Sequence, residues 1–503
     1  MARRLDTARI RLILFLIFST ELLALMYAQL ADWMSFDRFA FCDHGANLTL
    51  QYLVNVVGYR PTIDFGYNYG LLPILFGRMW FAIAGNDATG YQSAMIVCDL
   101  VAAWGIASIL AQLRLGIVAL ALSAIALGYA VQPSYPSLAH ALEAVLLILG
   151  LSRQARGANA AALAYSAAAI FAKPAMGYFY SLLLVVAIVY RLIRTRATLR
   201  QWITAFAPAA SVGLVLTAVL GASYGFRPLI DTILPWQGAA NYRAAHFGFF
   251  HGEGRAFWDT PGVPWWGHLL DVSGFWIVSS TLLLAFAGWD WFRIRRDSDP
   301  TLLDRRRTEV IVSCALLNLC FVAFLFGNRG SWIYYSFLVV IGIALAIDAT
   351  RIRRDVGVVL ALVALVSWTD VVIATHRRNL TMHESPETEG LWATAKEQAE
   401  WASVLALTER SKVRILDLKG GVELMFPQFG PPVTLYLDPG LIRPGEIALK
   451  VSQLSQTQMV VVPTNIANCS DIPQAPEIVA AMKSFDRRWK GDFFEVFARR
   501  PTK

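Results

Sequence analysis

Two carboxylates stand out in the stretch FCDHGANLTLQYLVNVVGYRPTIDFGYNYGLLPILF, residues 41–76. Asp43 opens an amphipathic run, and Asp64 ends the extended, proline-containing approach YRPTID. A carboxylate among apolar and aromatic residues can accept a proton from an incoming hydroxyl, because desolvation raises its proton affinity toward a useful range. Structural readings stand beside this one. Asp43 can meet the free N–H groups at a helix start, and Asp64 can serve a turn ahead of Gly66. The cations that would complement such a site are Lys173, in AAAIFAKPAMG, and Arg329, in FLFGNRGSW. A charge near hydrocarbon costs roughly 2.5–3.5 kcal/mol on insertion scales, so it tends to have a partner or a task. Each of the two can simply snorkel to the interface. Together an ammonium and a guanidinium can hold a phosphate or pyrophosphate.

Other candidates are less pointed. His140 and Glu143, in YPSLAHALEAVLLIL, are three residues apart and share a helical face. Glu143 reads equally as a site residue or as half of a satisfied pair inside the membrane. His246, His251 and Glu253 lack the regular spacing of a metal site. Their aromatic surroundings suit interfacial anchoring better than acceptor binding or a lid.

The elements that must position these residues are membrane spans. Of 503 residues, 56% are hydrophobic and only 16% charged, against about 25% charged in ordinary soluble domains. Apolar runs of about span length recur along most of the chain, as in a polytopic membrane protein. The net charge of +8 does not point to nucleic acid, because the arginines sit in short loops between apolar runs. Five cysteines show no CxxC and no metal-ligand spacing. Cys98, Cys314 and Cys320 read as small hydrophobes, whereas Cys42 and Cys469 fall in polar segments and are free to pair or not. The first apolar run has no small-residue cleavage site and reads as a retained anchor.

Charge asymmetry orients the spans. The run at 70–86 is short and holds Pro73 and Arg78, so it suits either a crossing or an interfacial helix. If it does not cross, sixteen arginines after residue 90 fall on the side of the arginine-rich N-terminus, against five basic residues opposite. If it does cross, the downstream basic loops fall outside, against the positive-inside rule. The expectation is therefore eleven spans, a cytoplasmic N-terminus, and two large extracytoplasmic loops at 33–90 and 225–272. Residues 376–503 turn soluble in composition. The strand-like runs VRILDL, VTLYLD, MVVVP and FFEVFA, with helix-like stretches at 390–408 and 475–485, predict a small extracytoplasmic α/β domain. Glycosylation acceptor patterns occur at Asn47, Asn379 and Asn468.

An acid in the first external loop, an amphipathic helix, YRPTIDFGYNYGLLPILF, and AKPAMG at a later span end resemble the C-type (GT-C) glycosyltransferase superfamily. Within it, the chain resembles the bacterial branch related to protein O-mannosyltransferases and to the lipid A aminoarabinose transferase. The motifs cover about residues 1–200, and the topology covers 1–375. His44 stands where many relatives have a second acid, and Tyr67-Asn68-Tyr69-Gly70 replaces a Pro-His-Gly-Pro-like turn. The resemblance implies an all-α polytopic catalytic domain over 1–375 that moves a sugar from a polyprenyl-phosphate donor to a glycan, lipid or protein acceptor. It implies a bacterial inner-membrane protein with inversion at the sugar. Asp43 would be the general base, and Asp64 would position the acceptor. His44, Tyr67, Asn68 and Glu143 would contact substrate, and Lys173 and Arg329 would hold the lipid phosphate. If a divalent ion such as magnesium or manganese is used, Asp43 and Asp64 are its ligands. A lipid donor needs no nucleotide, in keeping with the lack of a glycine-rich phosphate loop. The alternative from another class is a lipid or sugar transporter, although neither related halves nor midplane charges are evident.

Overall fold

In the computed structural model of the chain, the residues described are 7–41, 43–67, 69–113, 137–234, 272–296 and 301–324, a few positions between 338 and 345, and most of 377–501. The expected spans at 115–131 and 355–374, most of the span at 331–349, and the loop from 235 to 271 lie outside them, as do Cys42, Cys469 and Asn468.

Helices dominate the first two thirds. Helix α1 (Thr7–Ala28) leads through the short α2 (Leu30–Trp33) and α3 (Phe36–Ala40) into α4 (Asp43–Asn55), α5 (Leu72–Ala84) and α6 (Ala88–Gln112). Then come α7 (Leu138–Ala155), α8 (Asn159–Ala172), α9 (Pro174–Arg194), α10 (Leu199–Tyr224), α11 (Phe226–Ile233), α12 (Val272–Arg296) and α13 (Leu302–Phe324). Among the described residues, α1, α6, α7, α9 and α10 are long and apolar enough to cross a membrane. Helices α5 and α8 are also apolar but shorter, with 13 and 14 residues. The chain is an integral membrane protein.

Local signals set the helix boundaries. The Asp87 carboxylate caps α6 by accepting from the Gly90 N–H at 2.8 Å, after Gly85 has turned the chain at φ 90°. Ser137 opens α7, and Thr198 with Gln201 forms a capping box at the start of α10. Between spans the packing relies on small residues. A Cβ on Gly105 of α6 would meet Ile148 of α7, and one on Gly150 would meet the Tyr180 ring of α9. Large apolar side chains such as Leu16 on α1, Leu182 and Ile193 on α9 and Leu214 on α10 stay exposed. They are the face that lipid covers.

The last third holds two small sheets. Strands β1 (Met382–Glu384) and β2 (Trp392–Thr394) pair antiparallel. A second sheet has the order β3 (Val413–Ile415), β4 (Met459–Pro463), β6 (Phe494–Arg499), β5 (Phe485–Lys490), parallel between β3 and β4 and antiparallel elsewhere. Helices α14 (Ala395–Thr408), α15 (Gly421–Met425), α16 (Pro444–Ser455) and α17 (Pro476–Met482) complete it. The helix expected over 390–408 starts only at Ala395. Thr394 and Glu397 form a capping box there, and the preceding residues pair as β2. The helix expected at 475–485 stops at Met482, and Phe485 enters β5. Most of VTLYLD lies outside the described residues.

This C-terminal part seats on α2–α4. The Trp392 N–H donates to the Met34 carbonyl at 2.9 Å, and the Asn379 amide donates to the Ala28 carbonyl at 2.7 Å. Trp401 is fully enclosed by Phe36, Phe41, Phe426, Phe429 and Phe494, with ring centroids 5.0–6.3 Å away. Gly421 at the start of α15 touches the Phe39 carbonyl and the Gly45 backbone, so neither glycine has room for a side chain. Asn47 and Asn379 are both buried in the fold, so neither presents its amide to a glycan.

Trp401→Ala is expected to cost about 3–5 kcal/mol by emptying this aromatic nest. Thermal unfolding in detergent, with limited proteolysis of the C-terminal part, should show a clear fall in Tm and earlier cleavage after 379.

Candidate functional site

The sequence folds locally so as to bury one cation beside the first loop. Proline disfavours a helical conformation in the residue before it, so Lys173 is extended (φ −151°, ψ 108°) and ends α8, while Pro174 occupies the first turn of α9. The ammonium therefore lies in the link, outside both helices. Its Nζ stands 2.6 Å from His140 Nε2, and His140 Nδ1 stands 2.5 Å from Ser137 Oγ. With Lys173 donating to Nε2, the neutral imidazole carries its proton on Nδ1 and donates to Ser137. Burial pulls the Lys173 ammonium down to about 8, and the Glu143 carboxylate pulls it back up. Glu143 is wholly enclosed.

The first loop lies over this group. Gly70 N–H donates to the Ala172 carbonyl at 2.9 Å, and Tyr67 OH donates to the Gly70 carbonyl at 3.0 Å. A Cβ on Gly70 would run into the Phe171 carbonyl, so only glycine permits this approach. The Tyr69 ring then sits 5.4 Å from His140 and 6.0 Å from Lys173 Nζ, within reach of a cation–π attraction. Tyr67, His140, Glu143 and Lys173, four of the sequence-selected residues, thus share one neighbourhood. Tyr69 and Ser137 join them without having been singled out.

Asp64 faces elsewhere. Its Oδ2 accepts from the Arg60 backbone N–H at 2.7 Å and from Nε at 3.1 Å, and Oδ1 accepts from Nη2 at 3.1 Å. Within this turn Thr62 adopts φ 65°, which is unusual for a β-branched residue and costs about 1–3 kcal/mol. Its hydroxyl donates to Asp231 at 3.2 Å, which helps hold the conformation. The next residues are tied to the C-terminal part, because Gly66 N–H donates to Glu446 Oε2 at 3.1 Å. Glu446 had no local sequence signal, whereas Arg60 lay four residues before Asp64 in plain view.

His44 is buried between the rings of Phe39 and Tyr91, with centroids 5.3 and 5.1 Å away. Asp43 begins α4. Its side chain, Asn68 and Arg329 lie outside the described residues. Among the described residues no group of three His, Cys, Asp or Glu could hold a metal ion. Both oxygens of Asp64 accept from Arg60, so the carboxylate is an ion-pair partner in this turn.

No protein-family model matches the sequence, and no curated protein matches it. Among solved structures, ArnT from Cupriavidus metallidurans in the apo state aligns at 13% identity and a TM-score of 0.39, covering 95% of this chain and 97% of that one. The same protein bound to undecaprenyl phosphate aligns at 14% identity and a TM-score of 0.40, covering 96% and 97%. ArnT is a lipid A aminoarabinose transferase, a GT-C glycosyltransferase.

The two tethers of this site should respond differently in thermal unfolding. The Arg60–Asp64 pair is partly exposed, so Arg60→Gln should leave Tm nearly unchanged. Gly70→Val should lower Tm markedly, because the turn must leave the Ala172 carbonyl.

Proposed function

We propose that the chain is a membrane glycosyltransferase that takes a sugar from a polyprenyl-phosphate donor and hands it to a hydroxyl on an envelope lipid, polysaccharide or protein. The observation that carries this reading is the seating of the Tyr67–Gly70 turn on the Lys173 link. It sets a buried ammonium directly under the loop that bears the two aspartates, and a lipid phosphate fits such a cation. In the proposed reaction the acceptor oxygen attacks the anomeric carbon from the face opposite the phosphate. The bond from that carbon to the phosphate oxygen breaks with its electron pair going to the phosphate, so configuration inverts. Asp43 takes the hydroxyl proton. Lys173, steadied by His140, and Arg329 neutralise the charge gathering on the leaving phosphate. Asp64 positions the acceptor, while His44, Tyr67, Asn68 and Glu143 shape the donor pocket.

The topology proposed with it is eleven spans, a cytoplasmic N-terminus and an extracytoplasmic C-terminal domain in a bacterial cell membrane. Parity supports this. The C-terminal part touches α2–α4 and the Gly66 turn, so the two lie on one side and an even number of crossings separates them. Eleven spans with 70–86 lying flat leave ten in between, and the excess of arginines opposite decides which side is outside.

The test is transfer of radiolabelled sugar from a panel of polyprenyl-phosphate sugars by purified protein in lipid. Asp43→Asn should lose at least about 100-fold, the usual contribution of a general base. Full activity in that variant would overturn the assignment. Failure of the wild type on every donor, together with lipid movement across vesicles, would favour the transport alternative. Donor affinity should also depend on pH through Lys173. The ammonium binds phosphate and the free amine does not, so affinity should fall as pH rises past about 8. Lys173→Met should be weak at every pH.

A further inference from the structure

A cleft of about 220 Å³ opens on the far side of the Asp64 turn, between the end of α4, α5 and the end of α10. Its polar lining is Asn55, Tyr59, Arg60, Arg78, Ser223 and Tyr224, with no carboxylate among the lining residues. Asp64 lies behind Arg60 and neutralises it, so Arg78 leaves the cleft with one positive charge to answer. The Tyr224 hydroxyl is buried and lies against the Arg78 guanidinium. A tyrosine hydroxyl beside a guanidinium keeps its own proton to donate. An oxyanion placed between the two groups would accept from both. Next to the lining residues in the chain, Val56 and Val57 before Gly58, and Met79 and Ile83 after Arg78, expose apolar side chains, Ile83 almost completely at 88%.

We infer that this cleft binds a phosphate group, with Arg78 and Tyr224 as its donors. The apolar rim marks the phosphate as the headgroup of an amphiphile whose chains lie along α5 and α10. Arg78 supplies charge and a forked donor set, Tyr224 a fixed hydroxyl, and Ser223 and Asn55 the polar contacts beside them. The site is distinct from the Lys173 link, because none of its lining residues touches Lys173 or His140 through a described bond. Bound there, the headgroup would pin the turn at Gly58–Pro61 to the end of α10. This assignment does not depend on the transferase reading, since it is measured by binding alone.

The experiment is equilibrium binding of radiolabelled short-chain phosphatidic acid, and separately of inorganic phosphate, to the purified full chain in neutral detergent. Wild type is compared with Arg78→Gln, Tyr224→Phe and Lys173→Met. The expected result is saturable binding of phosphatidic acid that weakens about tenfold in Arg78→Gln and several-fold in Tyr224→Phe, with Tm unchanged in both and the site retained in Lys173→Met. If inorganic phosphate binds with the same sensitivity, the phosphate site stands and its ligand is also a soluble anion. If only the lipid binds so, the ligand is a headgroup. Binding that is absent, or equal in wild type, Arg78→Gln and Tyr224→Phe, overturns the inference, and the Asp43→Asn transfer assay is untouched by that outcome.

Discussion

The hydrogen bond from Gly70 to the Ala172 carbonyl joins the first loop to the link between two helices, and the candidate site depends on it. Without that contact Lys173 would keep His140 and Glu143 but lose the loop that covers it. With it, the cation has the Tyr69 ring beside it, His140 as acceptor and Glu143 as counter-charge. The geometry is demanding. Gly70 must lack a side chain, Lys173 must be extended, and Pro174 must start the next helix, and each of the three conditions is met by the residue type present.

A second constraint comes from the other end of the chain. The C-terminal part does not hang from the last span. It grips α2–α4 through a tryptophan enclosed by five phenylalanines, two backbone-directed bonds and a glycine-to-glycine approach. It also reaches the Asp64 turn through Glu446. The buried Lys450–Glu423 ion pair inside it, whose carboxyl is pushed up by burial and pulled back by the ammonium, is the kind of interaction that favours one arrangement of a small core over others.

What could be read from the sequence was local or periodic. Apolar period and length gave the membrane class, Lys-Pro marked a helix junction, and Asp43 at the head of an amphipathic run marked the start of α4. The start of α14 was less legible, since the helix-like stretch expected from 390 begins only at Ala395, behind the Thr394–Glu397 capping box. The partners of His140 were harder. Spacing on its own helix drew attention to Glu143, whereas the short contacts are to Ser137 one turn earlier and to Lys173 from another helix. The seating of Trp401, Gly421 and Glu446 left no trace, since nothing in a window of ten or twenty residues encodes a contact made hundreds of residues away. The Arg78–Tyr224 cleft was missed for the same reason.

The Gly66–Glu446 bond spans 380 positions, and this separation sets an order of events during biosynthesis. At about 5–20 residues per second, roughly 20–80 s pass between synthesis of the first loop and synthesis of its last partner. Throughout that interval Phe36 and Phe41 lack Trp401, and the Met34 carbonyl lacks Trp392. The loop must therefore wait half-built, with aromatic faces uncovered, while the later helices insert. Such a nascent chain would be a natural client for chaperones, and a ribosome that stalls before residue 392 would release a membrane-inserted product whose earliest-made loop never acquires its final shape.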